Sequence, residues 1–230
     1  MGSYATRRGA RTDTTMWRVV ADGAQQPVLP DGVMDLMWFQ ERLVVAGPDT
    51  RAMVAETRSG EATWGLQFAP GAAVALLGVP AVELADRRVD LSELVAPPAG
   101  GWPVGHHPPD ALERVLISLW TRADPERSVL RVAASLDRAA RDGLSVQTTA
   151  ELHGLSERSL RRLSNRLFGY APKTLMQIHR FQRALHLLRA GRRLSDAAAT
   201  AGYADQAHLN REVKRLTGRT PAAFTRHAER

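Results

Sequence analysis

The sequence of 230 residues contains no cysteine, which excludes disulfides, thiol nucleophiles and cysteine-ligated metal sites. It has no apolar run long enough to span a membrane. Its first fifteen residues are rich in Arg, Thr and Gly and lack the apolar segment of a signal peptide. These absences predict a cytoplasmic protein.

Lysine is scarce as well, because Arg supplies every basic side chain except Lys173 and Lys214. Residues 143–230 hold 16 Lys and Arg against 6 Asp and Glu, whereas residues 1–142 hold 15 against 18, so the two parts carry charges of +10 and −3. Biased base composition would explain the preference for Arg but not this asymmetry. A basic part beside a slightly acidic part indicates a nucleic-acid binder with a separate second function.

One unit occurs twice in the basic part, at a constant offset of 49 residues. The matching pairs are Leu160/Leu209, Arg162/Arg211, Arg166/Arg215, Leu167/Leu216, Gly169/Gly218 and Pro172/Pro221. Each copy has the pattern of a short helix, a glycine turn, a polar N-cap and an Arg-bearing helix, which is typical of a helix-turn-helix. Two copies on one chain indicate a monomer that reads two consecutive major grooves.

The same part of the sequence predicts where its helices begin. Ser145, Ser156, Ser195 and Asp205 are expected N-caps, because their side chains can accept from the first free backbone N–H groups. Pro172 fits the first turn of a longer helix that runs to about Ala190 and separates the two units.

Residues 16–68 instead have the pattern of short strands separated by turns, and residues 108–121 and 125–141 have that of two amphipathic helices. The predicted fold class is α+β: a β-rich N-terminal domain, then an all-α C-terminal domain with two helix-turn-helix units joined by a linker helix. The expected divisions are a flexible N-terminus at 1–15, a sensory or association domain at 16–105, connecting helices at 106–142 and a DNA-binding domain at 143–230.

The C-terminal part resembles the DNA-binding domain of the AraC/XylS family of bacterial transcription regulators over about residues 145–227. The resemblance is most specific in Gly202-Tyr203-x-Asp205-Gln206-Ala207-His208-Leu209-x-Arg211, continued by Thr217-Gly218-x-Thr220-Pro221. In the first unit it rests on Leu155-Ser156-Glu157-Arg158-Ser159-Leu160-x-Arg162. It implies a DNA-binding transcription regulator whose partners are double-stranded DNA and, as further options, a small-molecule effector, RNA polymerase and a second copy of the chain.

Residues 15–100 are similar to the sensory domain attached to some of these regulators. The similarity rests on Leu29-Pro30-Asp31-Gly32-x-x-Asp35-Leu36, Ala46-Gly47-Pro48 and Phe68-x-Pro70-Gly71. Trp17, Trp38, Trp64, Phe39, Phe68 and Met37 could line an effector pocket there or fill a solid core, and we favour the core.

Exposed residues near the start of a recognition helix face the base edges. The expected base-reading residues are Arg158, Ser159, Arg161, Arg162, Gln206, Ala207, His208, Asn210 and Arg211. Arg suits guanine, whereas Gln and Asn suit adenine. The expected phosphate contacts are Arg166, Lys173, Arg180, Lys214 and Arg215. Ala207 stands where family members often carry a longer side chain, so the second unit could read less sequence.

Nothing in the sequence favours an enzyme, and we expect no catalytic, cofactor or metal site. His106 and His107 are adjacent and do not project from one face of a helix or strand. Asp31 and Asp35 could form a carboxylate pair, but Asp31 also suits a turn. The alternatives are a DNA-binding module whose N-terminal half only dimerises or binds protein and, less favoured, an enzyme with an attached DNA-binding domain.

Overall fold

The computed structural model describes residues 3–23, 27–55, 57–102 and 107–225. The strands among them are β1 (Ser3–Arg8), β2 (Thr15–Val20), β3 (Pro27–Val28), β4 (Asp35–Phe39), β5 (Arg42–Ala46), β6 (Met53–Val54), β7 (Ala62–Gln67) and β8 (Arg88–Asp90). Six of these strands form one antiparallel sheet in the order β1-β2-β7-β4-β5-β8, and β3 pairs with β6 apart from it. The N-terminal part is therefore β-rich, as predicted.

The helices are α1 (Ala72–Leu77), α2 (Leu91–Leu94), α3 (Pro108–Ala123), α4 (Arg127–Arg141), α5 (Val146–Leu152), α6 (Glu157–Phe168), α7 (Pro172–Arg189), α8 (Leu194–Ala201) and α9 (Gln206–Thr217). Short 3₁₀ helices lie at Ala81–Leu84 and Pro221–Phe224. The C-terminal part is all-α, which confirms the predicted fold class. No helix of the described residues is long and apolar enough to cross a membrane.

One face of the large sheet builds the main core. Side chains alternate along each strand, so Met16, Leu36, Val45 and Leu66 point to the same face and are buried there against α1 and α3. Burying an aliphatic side chain of this size contributes about 1.5–3 kcal/mol. Helix α3, expected to be a connecting helix, therefore belongs to the core of the N-terminal part.

The opposite face carries a smaller apolar cluster in which Trp17 is packed rather than free. A Cβ atom added to Gly65 would lie 2.1 Å from the Trp17 ring, so the indole occupies the space that a side chain would take on the neighbouring strand. Trp38 and Trp64 pack against the main core. All six aromatic and methionine candidates thus contribute to packing, Phe68, Trp38 and Trp64 in the main core and Met37, Trp17 and Phe39 in the smaller cluster, which favours the core interpretation.

The helical part has two cores, one for each repeated unit. Leu160, Leu167 and Ile178 pack with Leu136 of α4 in the first, and Phe181 belongs to the second with α8 and α9. Helix α7 contributes to both cores and lies between the units, as expected of the linker helix. Helix α4, although expected to be a connector, packs into the first of these cores.

Two local expectations differ from the structure. Ser195 does not cap α8, because the helix begins one residue earlier, at Leu194, whose side chain packs against the second core; the N-cap is Arg193, without a side-chain bond. The first fifteen residues, expected to be flexible, include β1, which pairs with β2. All six of its side chains are exposed, so the strand is held by backbone hydrogen bonds that composition does not reveal.

Candidate DNA-binding site

Each repeated unit folds as a helix-turn-helix. In the first unit α5 and α6 are joined through Gly154 at φ 61°, and in the second α8 and α9 are joined through Gly202 at φ 85°. Both values lie in the left-handed region that favours glycine. The glycines therefore fix the two turns that set each recognition helix against its partner helix.

The two recognition helices, α6 and α9, have the same length and the same ends. Ser156 accepts from the Ser159 N–H at 3.1 Å, and 49 residues later Asp205 accepts from the His208 N–H at 2.6 Å. Both helices contain 12 residues, which makes each about 18 Å long. Gly169 and Gly218 end them in the left-handed conformation.

Matching positions on α6 and α9 form two equivalent stripes on the exposed side. Leu160 and Leu209 are buried at the start of the inner face of the two helices. The stripe residues recur three or four positions apart and therefore share one helix face. They are Arg158, Arg161, Arg162, Asn165 and Arg166 on α6, and Ala207, Asn210, Arg211, Lys214 and Arg215 on α9.

The two stripes carry the same residue type at their central position and differ in the residues around it. Arg162 and Arg211 occupy the same position, are exposed, and form no ion pair with the described residues. At the N-terminal end Arg158 corresponds to Ala207, which has no reach to a base edge beyond its methyl group. The structure therefore brings together most of the expected base-reading residues, with the longer side chains on α6.

Ser159 and His208 lie at equivalent positions but are already engaged by protein groups. The Ser159 hydroxyl accepts from Ser156 at 3.0 Å. The His208 ring packs edge-on against Tyr203 at 5.2 Å between ring centroids and lies 4.0 Å from a Glu212 carboxylate oxygen. Both side chains face the edge of the stripe rather than its middle.

Arg180, expected to contact phosphate, is partly buried behind α9. Its guanidinium donates to both oxygens of the buried Glu212 at 3.1 and 3.2 Å and lies over the Tyr203 ring at 4.5 Å. The Tyr203 hydroxyl also donates to Glu212, and burial, then this carboxylate, raises the pKa of Tyr203. In this structure Arg180 supports α9 from the linker helix.

Lys173 lies in a basic groove that sequence reasoning did not identify. The groove has a volume of about 340 Å³ and runs between α7, the end of α4 and the Gly202 turn. Arg141, Arg180 and Arg183 line it together with Lys173. Arg183 follows Arg180 by three residues on α7, and this spacing was the available signal.

A buried network joins α4 to α7 below this groove. Asp137 accepts from Arg141 at 2.7 Å and lies 2.8 Å from Nε2 of the buried His179. Burial raises the pKa of Asp137, but the hydrogen bonds from His179 and Arg141 outweigh it, so the pKa lies below its ordinary value. His179 in turn contacts Gly32, where an added Cβ would lie 3.3 Å from the ring.

Carboxylates gather where the sheet meets the helical part. Asp31 accepts from the Val33 N–H at 3.0 Å, which confirms its turn role, and Asp35 accepts from the Trp17 indole N–H at 2.9 Å. Burial raises the pKa of Asp31 to about 6. Burial and then the neighbouring Asp31 raise the pKa of Asp35 to about 8. Asp31 is thus close enough to Asp35 to affect the ionisation of that carboxyl.

Only one of the two adjacent histidines, His107, falls within the described residues. His107 lies 3.2 Å from Asp110 at the start of α3, and His106 falls outside the described residues. In the part of the chain that the structure describes, no group of three His, Asp or Glu side chains is placed to hold a metal ion.

Comparison with known proteins matches both parts of the chain to families. A helix-turn-helix domain family matches residues 149–227, and a domain of unknown function, DUF6597, matches residues 14–90. No curated protein matches the chain.

Several solved structures are similar. One is a probable AraC family transcriptional regulator from Rhodopseudomonas palustris, 21% identical, covering 41% of this chain and 94% of that one with a TM-score of 0.37. Another is the C-terminal domain of AraT, a response regulator from Geobacillus stearothermophilus, 20% identical, covering 41% and 90% with a TM-score of 0.36. ToxT from Vibrio cholerae is 9% identical and covers 96% of each chain with a TM-score of 0.47. The chain thus carries a helix-turn-helix domain at residues 149–227, which follows a DUF6597 domain at residues 14–90.

Proposed function

We propose that this protein regulates transcription by reading two consecutive major grooves, one with α6 and one with α9. The observation that carries the proposal is the pair of equivalent stripes on two helices of equal length, equal caps and a constant offset of 49 residues. Recognition helices that serve one duplex from one side must lie about one helical turn apart, roughly 34 Å. A rigid linker helix, α7, supports such an arrangement.

Base reading is assigned to the middle and N-terminal part of each stripe. Arg162 and Arg211 are central, because a guanidinium can bind O6 and N7 of guanine with two hydrogen bonds. The remaining proposed base contacts are Arg158, Arg161, Ala207 and Asn210 within the stripes, and Ser159, Gln206 and His208 beside them. Ser159 and His208 contribute less, since protein groups already occupy them.

Phosphate contacts are assigned to the C-terminal part of the stripes and to the basic groove. Arg166, Lys214 and Arg215 are exposed at the ends of α6 and α9. Lys173 is exposed at the start of α7 and lines the groove, whereas Arg180 reaches a phosphate only by releasing Glu212. These contacts set the register on DNA and make affinity dependent on salt.

The N-terminal domain is proposed to modulate binding through its junction with the helical part. A cavity of about 420 Å³ lies there, between the start of the sheet, α4 and the end of α6. Phe68, Met34 and Leu167 give it an apolar floor, and Arg8 and Arg141 line its polar side. This cavity is our candidate site for a small-molecule effector.

The proposed domain boundaries stay at residues 105 and 142. Helices α3 and α4 lie between these boundaries and pack against the domains on either side.

A second candidate function for the N-terminal half is association between copies of the chain. Ile117 and Trp120 on α3, together with Val129 and Val132 on α4, are large apolar side chains that remain exposed. Large apolar side chains that stay exposed in this way can serve a contact between proteins. A contact with RNA polymerase stays a prediction from the family resemblance.

The test is selection of duplexes from a random-sequence library by the full chain at about 150 mM salt, which suppresses nonspecific binding. We expect one enriched motif with two short blocks about one helical turn apart. A motif with a single block would contradict reading by both helices. The absence of any enriched motif would contradict sequence-specific binding altogether.

A further inference from the structure

The loop of residues 47–52, between β5 and β6, is held rigidly by the N-terminal domain. Arg88 binds both oxygens of Asp49, at 2.9 and 2.7 Å, in a two-pronged ion pair. Thr50 donates its backbone N–H and its hydroxyl to the two oxygens of Asp86, at 2.7 and 2.6 Å. Gly47 passes so close to the backbone of Leu84 that an added Cβ would lie 1.6 Å from the Leu84 carbonyl oxygen. This loop therefore moves only with its domain.

One end of the loop contacts the C-terminal end of the first recognition helix. Gly169 ends α6, and an added Cβ there would lie 2.5 Å from the Pro48 ring and 3.0 Å from the Ala81 carbonyl oxygen. The hydroxyl of Tyr170, which is 2% exposed, donates to the carbonyl of Asp49 at 2.6 Å. The end of α6 is thus packed against the loop and hydrogen-bonded to it.

The other end of the loop contacts the C-terminal end of the second recognition helix. The Ala52 N–H donates to the carbonyl of Leu216 at 2.6 Å. Carbonyls in the last turn of a helix have no partner within the helix, so this bond satisfies a group that α9 itself leaves open. The same loop therefore touches both recognition helices, at equivalent ends.

We propose that loop 47–52 is a clamp that fixes the separation of the two recognition helices and so selects the spacing between the two blocks of the DNA site. From Asp49 to Ala52 the chain advances three residues, which span at most about 10 Å. A bridge this short, anchored at both ends, does not lengthen to follow a change in separation. The N-terminal domain then determines spacing specificity, a role beyond effector binding.

This inference rests on the proposed reading of two grooves. One inserted base pair moves the second block by about 3.4 Å along the duplex axis and also rotates it about that axis. The clamped protein meets such a site only by breaking the contact of Tyr170 or of Ala52, or by losing one block. A chain without the clamp is held by α7 alone and accepts more than one spacing.

The first experiment measures the clamp without DNA. The chain has no native cysteine, so spin labels attach only at Glu157→Cys and Gln206→Cys, the exposed first residues of α6 and α9. We expect a narrow distance distribution by pulsed electron resonance in the otherwise unchanged chain. Tyr170→Phe combined with Ala52→Pro removes both hydrogen bonds and should widen the distribution about twofold.

Tyr203→Phe is the matched control, because it also loses a hydrogen bond from a buried tyrosine but lies within the second unit. It should leave the distribution narrow. If the double variant does not unfold cooperatively on heating, Tyr170→Phe alone is measured, and a smaller widening is expected. A distribution as narrow as that of the parent in every folded clamp variant overturns the proposal.

The second experiment uses the selected DNA site with zero, one or two base pairs inserted between its blocks. The parent and Tyr203→Phe should lose about tenfold in affinity with one inserted base pair, and the clamp variant about threefold or less. Equal losses in all three chains would show that α7 alone sets the spacing and would refute the clamp. If no chain enriches a motif, the proposed function fails first, and a widened label distance would then stand as a purely structural result.

Discussion

The carboxyl of Asp35 gives the chain a pH dependence whose sign follows from its position. Burial and the neighbouring Asp31 raise the pKa of Asp35 to about 8 from an ordinary value of 3.8. The folded chain therefore holds this proton more tightly than the unfolded chain does. The resulting stability is fully present below about pH 4 and is lost as the pH rises through the folded pKa. Replacing Asp35 by Asn removes the ionisation and keeps the shape and the acceptor for Trp17.

The magnitude follows from opposing contributions. Each pKa unit between the folded and unfolded states corresponds to about 1.4 kcal/mol. The Trp17 hydrogen bond and the charge of Arg88 favour the carboxylate and offset part of the burial. Asp35 is only partly buried, so water screens part of the remainder. We expect the parent to lose about 2 kcal/mol of unfolding free energy between about pH 5 and about pH 8.5, and Asp35→Asn to lose much less.

The assay is thermal unfolding of both chains at the two pH values. From the difference of about 2 kcal/mol in unfolding free energy, we expect the midpoint of thermal unfolding of Asp35→Asn to lie about 4–8 °C above that of the parent at high pH and close to it at low pH. The control is Asp124→Asn. Asp124 is exposed and ends α3 in the left-handed conformation, at φ 39°, which Asn also adopts. If Asp35→Asn follows the parent at both pH values, the Asp35 carboxyl is already ionised in the folded state, and the reasoning is refuted.

Three further predictions concern DNA binding and packing. Arg162→Ala and Arg211→Ala should each relax the sequence preference in a different block of the site and cost about 1–3 kcal/mol of discrimination there, measured by repeating the selection. The control is Arg131→Ala at an exposed position on α4, which should change the preference in neither block. Uniform weakening of binding by both stripe variants would contradict base reading. Affinity measured by fluorescence anisotropy should fall with salt with a log–log slope of about −4 or steeper, since at least four basic side chains are assigned to phosphates, and a flat dependence would contradict the assignment. Gly65→Ala should destabilise the fold by about 1–3 kcal/mol in denaturant unfolding, because its methyl group displaces the Trp17 ring, and an unchanged midpoint would contradict that packing.

The local signals of the helical part were readable from the sequence because each acts within a few residues. An N-cap such as Ser156 accepts from an N–H three residues later, and a glycine such as Gly202 determines its own backbone conformation. The offset of 49 residues then gave two equivalent recognition helices and the central positions of Arg162 and Arg211. The pattern of short strands separated by turns predicted the β-rich half in the same way. β1 was missed, because exposed side chains on an edge strand carry no apolar pattern.

What the tertiary structure alone decided are contacts between residues far apart in the chain. Tyr170 and Asp49 are separated by 121 positions, and Arg180 and Glu212 by 32. No local sequence pattern therefore predicts either hydrogen-bonded pair. A sequence indicates that Arg180 is cationic, but only the packing of α7 against α9 shows that this charge is already neutralised. Likewise the turn around Asp31 was predictable, whereas the raised pKa values depend on the enclosure of two carboxyls by a distant helical domain. Local geometry is determined by neighbouring residues, and burial and charge pairing are determined by the whole fold.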